Sequence, residues 1–241
     1  MPPGGPVAYS WSRTASPALV LGRSGVDQRF NWTVAHDEGV TVVRRSSGGG
    51  PVLWDRDLLA LDVVLPRGHP LAHADVVMAY RWLGEAISAA LRTCGVSDVE
   101  VVGVERARAT RGEPGPAADA CFGGISPFEV TAGDRKVVGL SQARRASGTL
   151  LQAGIPMRLD AARLARLMGR DAAFAEGLAA AAAGIDELSP HVDADALMAA
   201  VDAEVARRHR VIMRDDVPTA SEERAIASVE TRPLGAAPSE T

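Results

Sequence analysis

The segment from His73 to Cys94 limits the folds open to this chain more than any other. Val76, Tyr80, Leu83, Ile87 and Leu91 recur at three- and four-residue steps, so a helix places them on one face, and Gly95 is suited to ending it. A helix with a single apolar face needs a surface to cover. The flanking sequence supplies one in short strand-like runs at 17–22, Val40 to Val43, Pro51 to Trp54, Leu58 to Leu65, Val99 to Val104, Phe128 to Thr131, Lys136 to Ser141 and Thr149 to Met157. From Asp160 the period turns helical, with alanine-rich segments at Ala161 to Met168, Ala172 to Ala183 and Ala194 to His209. The expectation is an α+β fold: a mixed β-sheet with packed helices and a small helical C-terminal part. Asp27 to Glu38 adds a modest helix closed by Gly39, and Glu105 to Asp119, rich in arginine, glycine and proline, is expected to be a mobile loop.

Within that frame the division expected is a flexible N-terminus (1–16), a main domain (17–185), a helical C-terminal extension (186–230) and a disordered tail (231–241). Apolar runs such as Leu58 to Leu65 fall short of the roughly 20 residues that span a bilayer, and Met1 to Pro6 lacks the layout of a secretion signal, so a cytoplasmic protein without a membrane partner is expected. A net charge of −4 with the two signs interspersed argues against nucleic acid as a partner. Two cysteines, Cys94 and Cys121, make no disulfide framework, and His69 and His73, the only histidines close together, lack an acid or cysteine to complete a metal set. No metal site is expected.

Lys136 is the only lysine; every other basic side chain is arginine. Ammonium is a compact charge with a shiftable pKa, whereas guanidinium is a broad permanent fork. A lone lysine therefore points either to a pocket needing a small donor beside an oxygen or to chance survival at the surface. The Arg44-Arg45-Ser46-Ser47-Gly48-Gly49-Gly50 stretch has a comparable double reading. Glycines let backbone approach a ligand and aim N–H groups at a carboxylate or phosphate, with Arg45 neutralising it, or they make a plain exposed turn. It is not a P-loop, since no Gly-Lys-Ser/Thr follows.

Arg44 to Asp55 resembles the arginine-arginine-x-serine/threonine-glycine-glycine signature of the lipoate–protein ligase and octanoyltransferase family, and Asp134 to Gln142 resembles its second signature, with Lys136 on the family's lysine. The likeness covers roughly residues 17 to 180 and implies a fold related to biotin ligases. It also implies a task, moving a lipoyl or octanoyl group onto a lysine of a lipoyl carrier domain or a glycine-cleavage H-type protein. It makes Arg45, Ser47, Gly48, Gly49, Gly50, Pro51, Val52, Leu53, Gly139, Leu140 and Ser141 substrate-binding residues and gives Lys136 the acyl carbonyl oxygen, where acyl transfer gains from a donor.

Cys121-Phe122-Gly123-Gly124-Ile125-Ser126-Pro127-Phe128-Glu129-Val130 is similar to the cysteine segment of the transferase branch. That branch takes octanoate from acyl carrier protein onto the thiol and needs no cofactor; a thiolate is an apt nucleophile. Gly123-Gly124 would let this loop fold back toward Lys136. The ligase branch instead uses ATP and Mg to make an acyl adenylate, and Gly50 fits it better, since the cysteine branch often has arginine there. Trp54 and Ala153 stand where many members carry histidine, and the resemblance leads one to expect the family's opening strand and helix to be mostly missing before Pro17 and the larger accessory domain of two-domain ligases to be lacking. A third reading, an inactive acyl-binding member, follows from those departures.

Overall fold

The computed structural model describes residues 6–14, 16–23, 30–112, 114–210, 217 and 220. Among these, the strands form two sheets. The larger has the order β1 (Ala8–Ser12), β5 (Leu58–Pro66), β9 (Gly148–Pro156), β8 (Arg135–Arg145), β7 (Val130–Ala132), β6 (Val99–Val101), with every neighbouring pair antiparallel. The smaller is β3 (Thr41–Arg44), β2 (Ala18–Leu21), β4 (Val52–Trp54), and here β2 runs parallel to β3 and antiparallel to β4. The mixed character expected from sequence thus belongs to the small sheet.

Period-two alternation divides the central strands into two faces. Leu59, Leu61, Val63 and Leu65 of β5, Leu151, Ala153 and Ile155 of β9, and Val138 and Leu140 of β8 lie in one buried core with Leu83, Ile87 and Leu91 of α2 (Arg81–Thr93). The opposite face carries Leu58, Ala60, Asp62, Gly139, Ser141, Gln152 and Gly154, and part of it looks toward the small sheet. That sheet packs with α1 (Trp32–Asp37), α4 (Ala161–Leu167) and α5 (Ala172–Ala181) in a second core, which includes Leu19, Leu21, Leu164 and Phe174.

Several expectations need correction. The 1–16 segment is not wholly flexible, because Ala8–Ser12 pairs with β5 and is pinned from the far end of the chain: Tyr9 Oη and Trp11 Nε1 both donate to Asp202 at 2.8 Å. Burial and the Asp202 carboxylate drive the Tyr9 phenol pKa upward. The helix at 73–94 is α-helical only from Arg81; Asp75 Oδ1 caps the N–H groups of Val77 and Met78, a 3-10 turn runs over Met78–Tyr80, and Val76 is 53% exposed instead of lying on the packed face. The expected loop at 105–119 contains α3 (Val104–Gly112), since Val-Glu-Arg-Ala-Arg-Ala-Thr-Arg is good helical sequence and the breakers Gly112, Pro114 and Gly115 all follow it.

Helices follow position 185, as expected for the extension. α6 (Ile185–Leu188) leads into α7 (Ala194–His209), which packs along α2 and sends Leu197, Val201 and Val205 into the main core. The expected tail at 231–241, and residues 27–29 of the expected first helix, lie outside the described residues. No helix among the described residues is long and apolar enough to cross a membrane.

Candidate active site

Between the two sheets lies a cleft of about 540 Å³, mouth included. Its floor is the small-residue face of β5, β8 and β9; Val20, Val52 and Trp54 of the small sheet form the facing wall, and Cys121 and Phe122 close one side. Most of the lining is apolar, with one polar row. Asp62, Gln152 and Ser141 are cross-strand neighbours; Gln152 Nε2 donates to Asp62 Oδ1 at 2.8 Å, while Gln152 Oε1 accepts from Ser47 Oγ at 2.6 Å. Desolvation raises the Asp62 pKa, and the Gln152 bond offsets only part of that. Trp54 Nε1 is buried without a hydrogen-bond partner in the protein.

Lys136 is 2% exposed. Its Nζ donates to Cys121 O at 2.7 Å and Gly124 O at 3.0 Å, and it pairs with Glu129 Oε2 at 2.7 Å, so all three ammonium N–H donors have acceptors. Phe122 lies with its ring centroid 5.3 Å from Nζ. Glu129, 3% exposed, is completed by two backbone donors, Ser126 N to Oε2 and Leu140 N to Oε1. A buried carboxylate with that many donors stays in place, and it supplies the counter-charge the ammonium needs.

Lys136 reaches this place through a register irregularity. Thr131 faces Lys136 while the preceding residue, Val130, faces Val138, leaving Val137 extra. Val137 and Val138 therefore both enter the helix-side core, and Lys136 turns to the face of Gly139, where a Cβ would stand 3.5 Å from the lysine Cε. The missing Cβ at Gly139 also leaves room for the thiol, since it would lie 3.6 Å from Cys121 Sγ.

The glycine loop is a packing surface within the protein. A Cβ on Gly50 would stand 2.1 Å from Asp119 O and 2.8 Å from Cys121 N, and one on Gly22 would meet Gly49 O at 1.9 Å. Cys121 N donates to Pro51 O at 2.9 Å. Bare backbone at Gly50 is therefore what allows the cysteine loop to dock. Arg45 binds its own loop, donating to Gly48 O and Gly50 O. Gly123 is equally constrained, because its Cβ would overlap Ala117 O at 1.7 Å.

Of the residues singled out in the sequence, Arg45, Val52, Cys121, Gly139, Leu140 and Ser141 line the cleft, as do Trp54 and Ala153. Leu53 lines a neighbouring cavity. Ser47 is buried in the polar row, Gly50 and Pro51 meet the cysteine loop, Gly48 O accepts from Arg45, Gly49 lies against Gly22, and Lys136 lies behind the cysteine loop. Sequence reasoning passed over Asp62, Gln152, Phe122 and Glu129 as site residues. A carboxylate inside the apolar run Leu58 to Leu65 and another seven residues ahead of the sole lysine were the available signals.

The fold is shared with solved lipoate–protein ligases. The bipartite lipoate protein ligase of Thermoplasma acidophilum, solved in work on its lipoylation system and E2 lipoyl domain, superposes with a TM-score of 0.75 at 20% identity, covering 99% of this chain and 88% of that one. Lipoate-protein ligase A bound with ATP gives 0.71 at 21%, covering 92% and 80%. The chain belongs to the lipoyl protein ligase A/B catalytic domain family, whose match runs over residues 3–210. Curated relatives include the octanoyltransferase LipM of Moorella thermoacetica, 33% identical over 147 residues (61% of this chain, 50% of that protein), and that of Bacillus subtilis, 31% identical over 140 residues (58% and 49%). The chain spans about half the length of the curated relatives it matches.

Proposed function

We propose that this chain is an octanoyl or lipoyl transferase acting through a thioester on Cys121. The carrying observation is the seat of that thiol: it lines the apolar cleft, its loop is docked on Gly50-Pro51, and its own carbonyl is held by the buried Lys136. In the first step the Cys121 thiolate attacks the thioester carbonyl of an octanoyl–acyl carrier protein; the donor's C–S bond breaks and its thiol leaves with a proton. In the second, the amine of a carrier-domain lysine attacks the Cys121 thioester, the amide C–N bond forms as the acyl C–S bond to Cys121 breaks, and the amine's proton returns to Cys121 sulfur. The acceptor is a lipoyl domain or glycine-cleavage H-type protein. The activity is assigned to the cytoplasm, where its two unpaired thiols stay reduced.

Lys136 acts first by orientation, fixing the peptide that carries the nucleophile. For it to hold the acyl carbonyl oxygen as well, one present acceptor must yield; Gly124 O, the longer bond and part of a glycine pair, is the one we assign. The ligase reading, with ATP and Mg as co-substrates, is supported by Arg45, a guanidinium on the cleft wall beside the glycine loop where a phosphate would be received.

The deciding experiment offers octanoyl–acyl carrier protein in one tube and lipoate with Mg-ATP in the other. Intact mass should show one octanoyl group on the wild type, released by hydroxylamine, and no hydroxylamine-labile adduct on Cys121→Ser. No adduct on the wild type, together with pyrophosphate release from lipoate that survives Cys121→Ser, replaces the transferase with the ligase. Acyl binding without turnover in either tube makes the chain an inactive acyl-binding member.

A further inference from the structure

The Cys121 thiol sits over one end of the cleft floor. A Cβ on Gly139 would lie 3.6 Å from Cys121 Sγ and 3.5 Å from the Phe122 ring tip; one on Gly154, its cross-strand partner, would lie 3.9 Å from that ring and 3.7 Å from Leu58 Cδ1. The trough over Ala60, Gly154 and Gly139 is therefore closed toward Leu58 and open toward the next row on the same face, Asp62, Gln152 and Ser141. That row is a chain of hydrogen bonds running one way. Ser141 Oγ donates to Ser47 Oγ at 3.2 Å, Ser47 Oγ to Gln152 Oε1 at 2.6 Å, and Gln152 Nε2 to Asp62 Oδ1 at 2.8 Å. It ends on a carboxyl whose other oxygen, Oδ2, has no hydrogen-bond partner among the described residues.

An acyl group on Cys121 runs out through the open side. By strand rise and spacing, Gln152 lies about 8 Å and Asp62 about 12 Å from Gly139. An extended eight-carbon chain advances about 10 Å at ordinary bond lengths, so its distal carbons arrive at Gln152 and Asp62. A methyl end there displaces water from the carboxyl and returns no hydrogen bond. A sulfur or oxygen at the same carbons replaces that water, accepting from the neutral acid or donating to the ionised one. Burial raises the Asp62 pKa, which favours the donor form. We propose that Asp62 is a specificity-determining residue, selecting acyl groups that carry a heteroatom on their distal carbons, lipoyl among them, over plain octanoyl. This inference rests on the acyl-transfer reading above and ranks the two acyl groups within it.

The test measures calorimetric affinities of free acids for Cys121→Ser, which keeps the cleft and removes the nucleophile. Lipoate and 8-hydroxyoctanoate should bind roughly tenfold or more tighter than octanoate, because a site that hydrogen-bonds a substrate group disfavours the analogue lacking it. The oxygen of 3-hydroxyoctanoate stops short of the row and should gain nothing. Adding Asp62→Leu should abolish the preference while octanoate still binds, which reports an intact cleft; Asp62→Asn keeps a donor and an acceptor and should retain it. If Asp62→Leu does not fold, the contrast between 8-hydroxy and 3-hydroxy acids in the unsubstituted cleft decides. Equal affinities for octanoate and 8-hydroxyoctanoate, a gain from the 3-hydroxyl as large as from the 8-hydroxyl, or a preference that survives Asp62→Leu overturns the selection, and octanoyl transfer then stands or falls on its own adduct assay. Affinity for none of the acids overturns the selection as well. The expected preference with no donor acylating the wild type removes the transfer reading and leaves Asp62 the selector of an acyl-binding cleft.

Discussion

The two faces of β5, β8 and β9 are made from the same strands and the same backbone bonds, yet they have opposite characters. On the helix side, Leu59, Leu61, Val63, Leu151 and Ile155 interlock with α2 and α7. On the cleft side the same strands show Ala60, Asp62, Gly139, Ser141, Gln152 and Gly154, residues too small or too polar to fill the space above them. The first face gives the sheet its stability. The second gives up packing, and the room it leaves is the cleft that Cys121 lines. The cleft is thus an alternation in which one phase is short of side chain.

The largest effect in this contrast is expected where one charge of the cleft side is fully buried. Lys136→Met leaves Glu129 without its counter-ion and should cost about 3–5 kcal/mol in urea unfolding; Lys136→Met with Glu129→Gln should recover a substantial part of that loss. If the single variant is as stable as the wild type, the pair does not anchor the cysteine loop.

Next comes a paired comparison across the sheet. Leu61→Ala, on the helix side, should lose about 2–5 kcal/mol. Gly154→Ala, on the cleft side, adds a Cβ whose nearest neighbours lie at 3.7 and 3.9 Å; stability should stay within about 1 kcal/mol, while binding of an octanoyl ligand weakens because the trough is narrower. Equal stability losses at the two positions would break the division of labour proposed for the two faces.

The smallest effect sharpens the contrast through pH. Burial raises the Asp62 pKa above its unfolded value, so this carboxyl contributes stability that is present in full below the unfolded pKa of about 4 and is lost as pH rises through the folded value. Asp62→Asn keeps an acceptor for Gln152 and should raise the melting temperature near neutral pH, by on the order of 1 kcal/mol in stability, with the gain shrinking toward roughly pH 4. A gain that grows on acidification would reverse the sign and remove Asp62 from the desolvated floor.

Much of the fold was legible because local patterns carried it. The apolar run Leu58 to Leu65 and the four-residue spacing of Leu83, Ile87 and Leu91 each dictate an element from its own residues. Helix α3 escaped because arginine, alanine and glutamate define no apolar stripe, and β1 escaped because Ala8–Ser12 is an edge strand with little pattern of its own, held by Asp202 nearly two hundred residues away. Glycines 48–50 were legible as a loop, but the partner of Gly50, the backbone of Asp119 to Cys121, is a long-range contact that leaves no mark on local sequence.

The sequence by itself determined that one lysine, one cysteine loop and one triple-glycine turn stand in the order shared by a family, because residue identity and spacing are all such signatures contain. Tertiary structure alone decided which way the lysine points. Alternation counted back from Gly139 and Ser141 would place Val137 on the cleft face and send Lys136 into the hydrocarbon core; the extra residue at Val137 reverses that, turning the ammonium toward Cys121, Gly124 and Glu129. The physical reason is that side-chain direction in a strand depends on register against its neighbour, and register is fixed by the packed whole, where burying two valines against the helices and pairing one ammonium satisfies both faces at once.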